Sequence, residues 1–299
     1  MKNAQALQEP LPNIHALSKD EQKKLMRKKF TATSRFQNEF GKDAVELDCG
    51  EYAQKLRQEV IRLLTAKGVP VPDGDLENLH KTLSPEMKEY NFDDGVNKVT
   101  TFLYDTDDQF IDTYHDMVKL CLQKHFPYPF YFQATTTIRI HCPGGKHSDH
   151  YPRYHTDINY GHPPEEINLW LPLTRPLAPQ YHGFRRTDVE NTRHILHEFN
   201  YDFDKLIERV VQDKPFNLDI HKVAPEVTTQ FGKMLAFDSR CLHTGEPLDK
   251  HTRVSMDIRI IPVADFNALD LEYQGTGRRK MRYVPGQAYY PLSSDRVYP

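Results

Sequence analysis

The 299-residue sequence has only four cysteines, Cys49, Cys121, Cys142 and Cys241, and no C-x-x-C pair among them. A disulfide framework and a thiolate zinc site are therefore both disfavoured. There is a single tryptophan, no internal repeat and no low-complexity tract. No apolar run approaches the roughly 20 residues that a membrane-spanning helix needs, and mean hydropathy is −0.70. The first residues, Met1-Lys2-Asn3-Ala4-Gln5, hold no apolar stretch of the kind that opens a secretory signal. A cytoplasmic location with no membrane partner is expected. An excess of one charge is lacking too. The 39 basic and 42 acidic residues leave a formal net charge of −3, which gives no overall field favouring nucleic acid.

What is present can build a core. Hydrophobic residues make up 38% of the chain and aromatics 11%, which argues against disorder. The length suits one large domain with helical additions. Residues 1–46 form a polar N-terminal segment, and its basic run from Lys23 to Lys29 reads as a solvated helix face rather than a nucleic-acid contact. Asp48-x-x-Glu51 resembles a capping box. After it, Tyr52, Leu56, Val60, Leu63 and Leu64 recur at helical spacing and predict a helix ending near Gly68. A second helix is expected from about Asp107 to Lys124, with Phe110, Tyr114, Met117 and Cys121 in its apolar stripe. The pattern then changes. Phe130 to Ile140 is rich in β-branched and aromatic residues, Glu166–Leu173 and Arg253–Ile260 alternate, and Lys233–Phe237 is a short apolar strand. Residues 184–212 interrupt the strands with a helical insertion. The tail from about Gln274 reads as a loop-rich extension whose Arg278, Arg279, Lys280 and Arg282 are surface charge. Helices first and strands later predict a mainly β fold with flanking helices, an antiparallel sandwich or barrel over residues 47–299.

Histidine is plentiful and uneven. Of fifteen, five lie between His141 and His162, and two H-x-D triplets occur there, His147-Ser148-Asp149 and His155-Thr156-Asp157. A histidine and a carboxylate two residues apart on an extended segment share a side and can hold adjacent positions on one metal ion. A third ligand must come from elsewhere. His243, which follows the apolar strand Lys233–Phe237 and a short turn, is the candidate. Two imidazoles and one carboxylate on one face of an octahedron leave three positions open. That suits ferrous iron that must bind O2 and a chelating co-substrate. Further along, Arg253 and Ser255 share a strand face opposite Val254, Met256, Ile258 and Ile260. A guanidinium beside a hydroxyl is a suitable clamp for a carboxylate. Arg139 and Asn168 are placed to line the same cavity, where contact with co-substrate or substrate and hydrogen bonding within the barrel are equally open. Arg259, on the Arg253 face, is a further candidate contact. His147 and Asp149 form the competing metal pair, without an apolar strand directly after them.

The ordered combination of His155-x-Asp157, a distant His243 after an apolar strand, and Arg253-x-Ser255 beyond it resembles the Fe(II)/2-oxoglutarate-dependent dioxygenases from roughly Ala134 to Pro262. Tyr154-His155-Thr156-Asp157-Ile158-Asn159-Tyr160-Gly161-His162, followed by Glu166-Ile167-Asn168-Leu169-Trp170-Leu171-Pro172-Leu173-Thr174, is similar to the phytanoyl-CoA hydroxylase-like branch and to hydroxylases of the streptomycin-biosynthesis type. The resemblance implies a double-stranded β-helix (a cupin-like jelly roll). It implies Fe(II) on His155, Asp157 and His243, and 2-oxoglutarate with its distal carboxylate on Arg253 and Ser255. It also implies O2-dependent hydroxylation of a small molecule with release of succinate and CO2. The interval between Asp157 and His243 is longer than in compact members, and the 184–212 insertion accounts for it. Related halogenases carry a small residue at the carboxylate position, so Asp157 disfavours halogenation. A sugar-, sugar-acid- or amino-acid-like substrate is expected. Two other classes stay open: a non-catalytic jelly roll that binds a sugar or metabolite, and a zinc-dependent hydrolase using His141, His147, His150 and His155.

Overall fold

Ten residues without a break, Arg253–Pro262, form the longest strand among the described residues, and the rest of the described fold is arranged around its two faces. In this computed structural model, the described residues are 18–91, 96–144, 153–176, 181–246, 248–269 and 289–292. The strands in chain order are β1 (Ala44–Asp48), β2 (Tyr90–Asn91), β3 (Val96–Asn97), β4 (Phe130–Gln133), β5 (Thr137–His141), β6 (Ile167–Pro172), β7 (Tyr181–Arg186), β8 (Glu226–Thr228), β9 (Lys233–Asp238), β10 (His243–Gly245), β11 (Arg253–Pro262) and β12 (Tyr289–Pro291). A large antiparallel sheet has the order β1-β9-β6-β11-β4-β12, with β5 also paired to β11. A small one has the order β10-β7-β8, and β2 and β3 pair separately.

Side chains alternate across a strand, and β11 uses both sides. Val254, Met256, Ile258 and Ile260 are buried in the main apolar cluster with Leu56, Val60 and Leu64 of the helix Tyr52–Ala66 and Phe110, Tyr114 and Met117 of the helix Asp108–Met117. On the other side, Arg253, Ser255 and Asp257 stand opposite His141, Arg139 and Thr137 of β5. Asp257 and Arg259 stand opposite Trp170 and Asn168 of β6. The large sheet therefore turns its apolar face to the helices and a polar face towards the small sheet. The two sheets meet where the Trp170 and Phe184 rings stack at 4.8 Å, in a cluster with Val227, Leu235 and Phe237.

Several sequence expectations are adjusted. The helix Tyr52–Ala66 begins at Glu51 with no side-chain cap. Asp48 instead ends β1 and accepts from the Gly50 amide at 2.9 Å, so the capping-box motif is a tight turn. Phe130 to Ile140 is not one strand: residues 134–136 break it, and Thr136 Oγ1 bridges the break by donating to the Asp257 carbonyl at 2.9 Å. Residues 184–186 belong to β7, and the insertion holds three helices, Val189–Glu198, Phe203–Gln212 and Lys214–Val223. The third was not foreseen. Asp213 caps it and Pro215 sits in its first turn, a start signal hidden by the preceding helical pattern. β1 runs across residue 46 and pairs with β9. The helix Lys19–Thr31 buries Met26 and Phe30, while its Lys23 lies 3.4 Å from Asp202 and Lys29 pairs with Glu165. The tail's Arg278, Arg279, Lys280 and Arg282 lie outside the described residues. No helix among the described residues is long and apolar enough to cross a membrane.

Candidate metal centre

A second apolar cluster seats the histidines. Met26 and Phe30 of the N-terminal helix pack with Leu196, Leu206, Val210 and Ile220 of the insertion, and with Tyr154, Ile158 and Leu242. Those last three are the immediate chain neighbours of His155, Asp157 and His243, so burying them fixes the backbone of all three. His155 and His243 are further tied by a two-way backbone bridge, His243 donating to His155 at 2.8 Å and His155 to His243 at 3.1 Å. The expectation that His155 and Asp157 share one extended segment needs correction. Asp157 opens a 3-10 turn, Asp157–Tyr160, which Asn159 caps by accepting from the Thr156 amide at 2.8 Å. Gly161, at φ 96°, ends it in the left-handed conformation that suits glycine. The turn swings the carboxylate back towards the histidine bridge.

The result is one group of three potential ligand atoms, from His155, Asp157 and His243, all within 4.8 Å of one another. His243 Nε2 lies 3.6 Å from Asp157 Oδ1. Each ring is oriented from behind: His155 Nδ1 lies 3.2 Å from the Arg153 carbonyl, and His243 Nδ1 lies 3.1 Å from the Cys241 carbonyl. A carbonyl only accepts, so each Nδ1 carries a proton, and Nε2 is the ring atom left to face a cation. Burial, with His243 beside it, pushes the His155 imidazole down to about 3, so it is a neutral donor at physiological pH. Burial alone would raise the Asp157 carboxyl, but Arg259, with His243, His162 and His155 around it, holds it well below the carboxylate range. Two imidazoles and one anionic oxygen fit a divalent cation with open positions.

His155, Asp157 and His243 line a cavity of about 740 Å³. Eight residues singled out from the sequence line it, Arg139, Asn168, Arg253, Ser255 and Arg259 with His155, Asp157 and His243. Arg253 is 2% exposed, and its Nη1 donates to the carbonyls of His182, at 3.1 Å, and Gly183. It lies against Gly245, where a Cβ would come within 2.3 Å of Nη2. The Ser255 hydroxyl and both amide atoms of Asn168 are buried without a hydrogen-bond partner. Leaving a buried polar atom unsatisfied costs about 1–3 kcal/mol, so these groups are where a polar ligand gains most. Arg139 is turned sideways, its Nε donating to Asp257 Oδ2 at 2.6 Å. Arg259 is turned onto Asp157, with Nε and Nη2 at 2.8 and 2.7 Å from Oδ2. It therefore sits behind the Asp157 carboxylate. Glu166, Tyr289 and His182 reach this region through contacts that carry no local sequence signal: Glu166 opens an alternating strand, Tyr289 is one tyrosine in the tail, and the His182 carbonyl accepts from Arg253.

Of the competing sets, His147, Asp149 and His150 lie outside the described residues. His141 is not in the group formed by His155, Asp157 and His243; it stands on β5 opposite Arg253.

No family model matches the chain, and no curated protein matches it in sequence. Among solved structures it is similar to the non-heme alpha-ketoglutarate-dependent carbocyclase SnoK from nogalamycin biosynthesis, at 11% identity over 88% of this chain and 98% of that one, with a TM-score of 0.45. It is also similar to EctD from S. alaskensis with 2-oxoglutarate and 5-hydroxyectoine, at 10% identity over 86% and 82% of the two chains, with a TM-score of 0.44. A third is AviO1 from Streptomyces viridochromogenes Tue57, at 13% identity over 75% and 91%, with a TM-score of 0.35. These superpositions are loose, and the chemistry lies in the chain's own side chains.

Proposed function

We propose that this chain is an Fe(II)- and 2-oxoglutarate-dependent dioxygenase of the phytanoyl-CoA hydroxylase-like branch. In this reading it has a jelly-roll core and hydroxylates a C–H bond of a small polar metabolite. One observation carries the reading: two imidazoles with Nδ1 tied back to carbonyls and one carboxylate, within 4.8 Å of one another, share a cavity with a buried guanidinium and an unpaired buried hydroxyl.

His155, Asp157 and His243 would hold the iron. When bound, it supplies O2 activation and the oxidative decarboxylation of 2-oxoglutarate to succinate and CO2. The protein's part is placement. One ligand carboxylate against a divalent ion leaves a net positive site that attracts a dianionic keto acid. Arg253 and Ser255 would bind its distal carboxylate, and Asn168 offers a donor and an acceptor on the neighbouring strand. Ile207, Val210 and Val211 of the insertion line the same cavity and limit water at the reacting centre. The Arg139–Asp257 pair and Thr137 on the cavity wall suit a polar rather than a greasy substrate.

The test is succinate release. It is expected to require Fe(II), O2 and 2-oxoglutarate together, and to be abolished in His155→Ala and His243→Ala with the fold retained. Arg253→Ala is expected to raise the KM for 2-oxoglutarate more than it lowers kcat. Full activity in both histidine variants, or turnover indifferent to oxygen, refutes the reading.

A further inference from the structure

Behind Asp157 lies a buried chain of charged and polar groups that the reaction itself does not use. Arg259 is 8% exposed, and both its Nε and Nη2 converge on Asp157 Oδ2. That oxygen is thereby occupied, and Oδ1 is the one that faces His243 Nε2. On the far side, Arg259 Nε lies 4.0 Å from Glu166 Oε2. Glu166 is 2% exposed; its Oε2 faces His162 Nδ1 at 2.9 Å, and its Oε1 accepts from the hydroxyl of Tyr289, itself fully buried. Tyr289 lies on β12, the strand that edges β4.

We propose that Arg259 is a positioning residue that selects Asp157 Oδ1 as the metal ligand, and that Glu166, seated by Tyr289 of the C-terminal strand, holds Arg259 there. The proposal rests on the metal-site reading above and deepens it. A free carboxylate can chelate through both oxygens and use up a coordination position. With Oδ2 claimed by two N–H groups, Asp157 offers one oxygen and leaves three positions open. A guanidinium this close to the ligand also repels the metal cation. The second carboxylate, Glu166, offsets that charge. The C-terminal strand is in this way connected to the metal centre through one hydroxyl, although it contributes no ligand.

The experiment is titration of the folded, co-substrate-free chain with Co(II), followed by calorimetry, with thermal unfolding measured on the same samples. Asp157→Ala sets the weak-binding limit. Arg259→Gln is expected to weaken the Co(II) Kd about 10–100-fold, the usual range for residues that orient ligands. Glu166→Gln and Tyr289→Phe are expected to weaken it by less, about 3–10-fold on the same scale. Tyr289→Phe added to Arg259→Gln is expected to cost little more than Arg259→Gln alone, because both act through one carboxylate. An unchanged Kd in Arg259→Gln with a raised substrate KM would make Arg259 a substrate contact and overturn the proposal. An unchanged Kd with a lowered melting temperature would make it merely structural and overturn it equally. If Arg259→Gln does not fold, Tyr289→Phe, which removes one oxygen, decides: an unchanged Kd refutes the connection. If Asp157→Ala binds Co(II) as tightly as the parent, the metal-site reading itself fails and the proposal falls with it, a result distinct from the others.

Discussion

Gly245 has no Cβ, and Arg253 uses the space. An alanine methyl there would sit 2.3 Å from Nη2 and 3.3 Å from Cζ. The obstructing atoms are the end of a flexible side chain, so Gly245→Ala is expected to fold and to displace the guanidinium. Losing one charge-assisted hydrogen bond, about 1.5–3 kcal/mol, corresponds to about 10–100-fold in KM for 2-oxoglutarate. An unchanged KM would mean that Arg253 does not anchor the co-substrate. Gly183 makes a contrast. Its φ is 70°, and a Cβ would lie 2.4 Å from the backbone oxygen of Glu246, so Gly183→Ala should destabilise the small sheet instead. At this scale the sequence made legible the grouping of His155, Asp157 and His243, whose potential ligand atoms lie within 4.8 Å of one another. It was not legible where a partner decides the role. Arg259 and Asp157 are 102 positions apart, and no local pattern announces that the arginine pairs with that carboxylate.

Along β11, neighbouring residues have opposite consequences because the strand separates the helix-covered core from the cavity. Met256 is fully buried among apolar side chains. Met256→Ala is expected to cost about 2–5 kcal/mol in stability, from lost burial and the cavity left behind, with the 2-oxoglutarate KM unchanged. Ser255, one residue earlier, has a buried hydroxyl without a partner. Ser255→Ala is expected to leave stability unchanged or higher, since it removes an unsatisfied group, while raising that KM. Urea unfolding and succinate kinetics on both variants check the division; if Met256→Ala raised the KM and Ser255→Ala did not, the assignment of faces would be wrong. This alternation was legible from residues 253–260, because a period of two is a local signal. So were the helices at 52–66 and 108–117, from their apolar spacing. β7 was not. Tyr181–Arg186 has a glycine at its centre, and its strand character comes from pairing with β8 and β10, which a single segment does not display. The 3-10 turn at Asp157 differs: its cap is local, Asn159 accepting from the Thr156 amide three residues back, but an H-x-D triplet reads equally well as extended backbone.

Over the whole molecule, the buried histidines tie stability to pH. His182 is 1% exposed, sits beside Trp170 at 5.4 Å between ring centres, and has Nε2 2.8 Å from the Thr229 carbonyl. Burial lowers it to about 4, against about 6.5 in an unfolded chain. The neutral form is the one the fold accepts. Its contribution is therefore complete above pH 6.5 and is lost as the pH falls towards 4, because the unfolded chain takes up the proton first. The full loss is on the order of 3 kcal/mol for a difference of this size. His155 titrates in the same direction in the metal-free chain, with a folded value of about 3, so the two add. Metal-free protein is thus expected to lose stability steadily between pH 6.5 and 4, measured as the urea midpoint. His182→Gln keeps an N–H for Thr229 and removes the titration, so it should flatten that slope even if it lowers the midpoint at neutral pH. An equal slope in His182→Gln would show that the imidazole is not the group the fold keeps neutral.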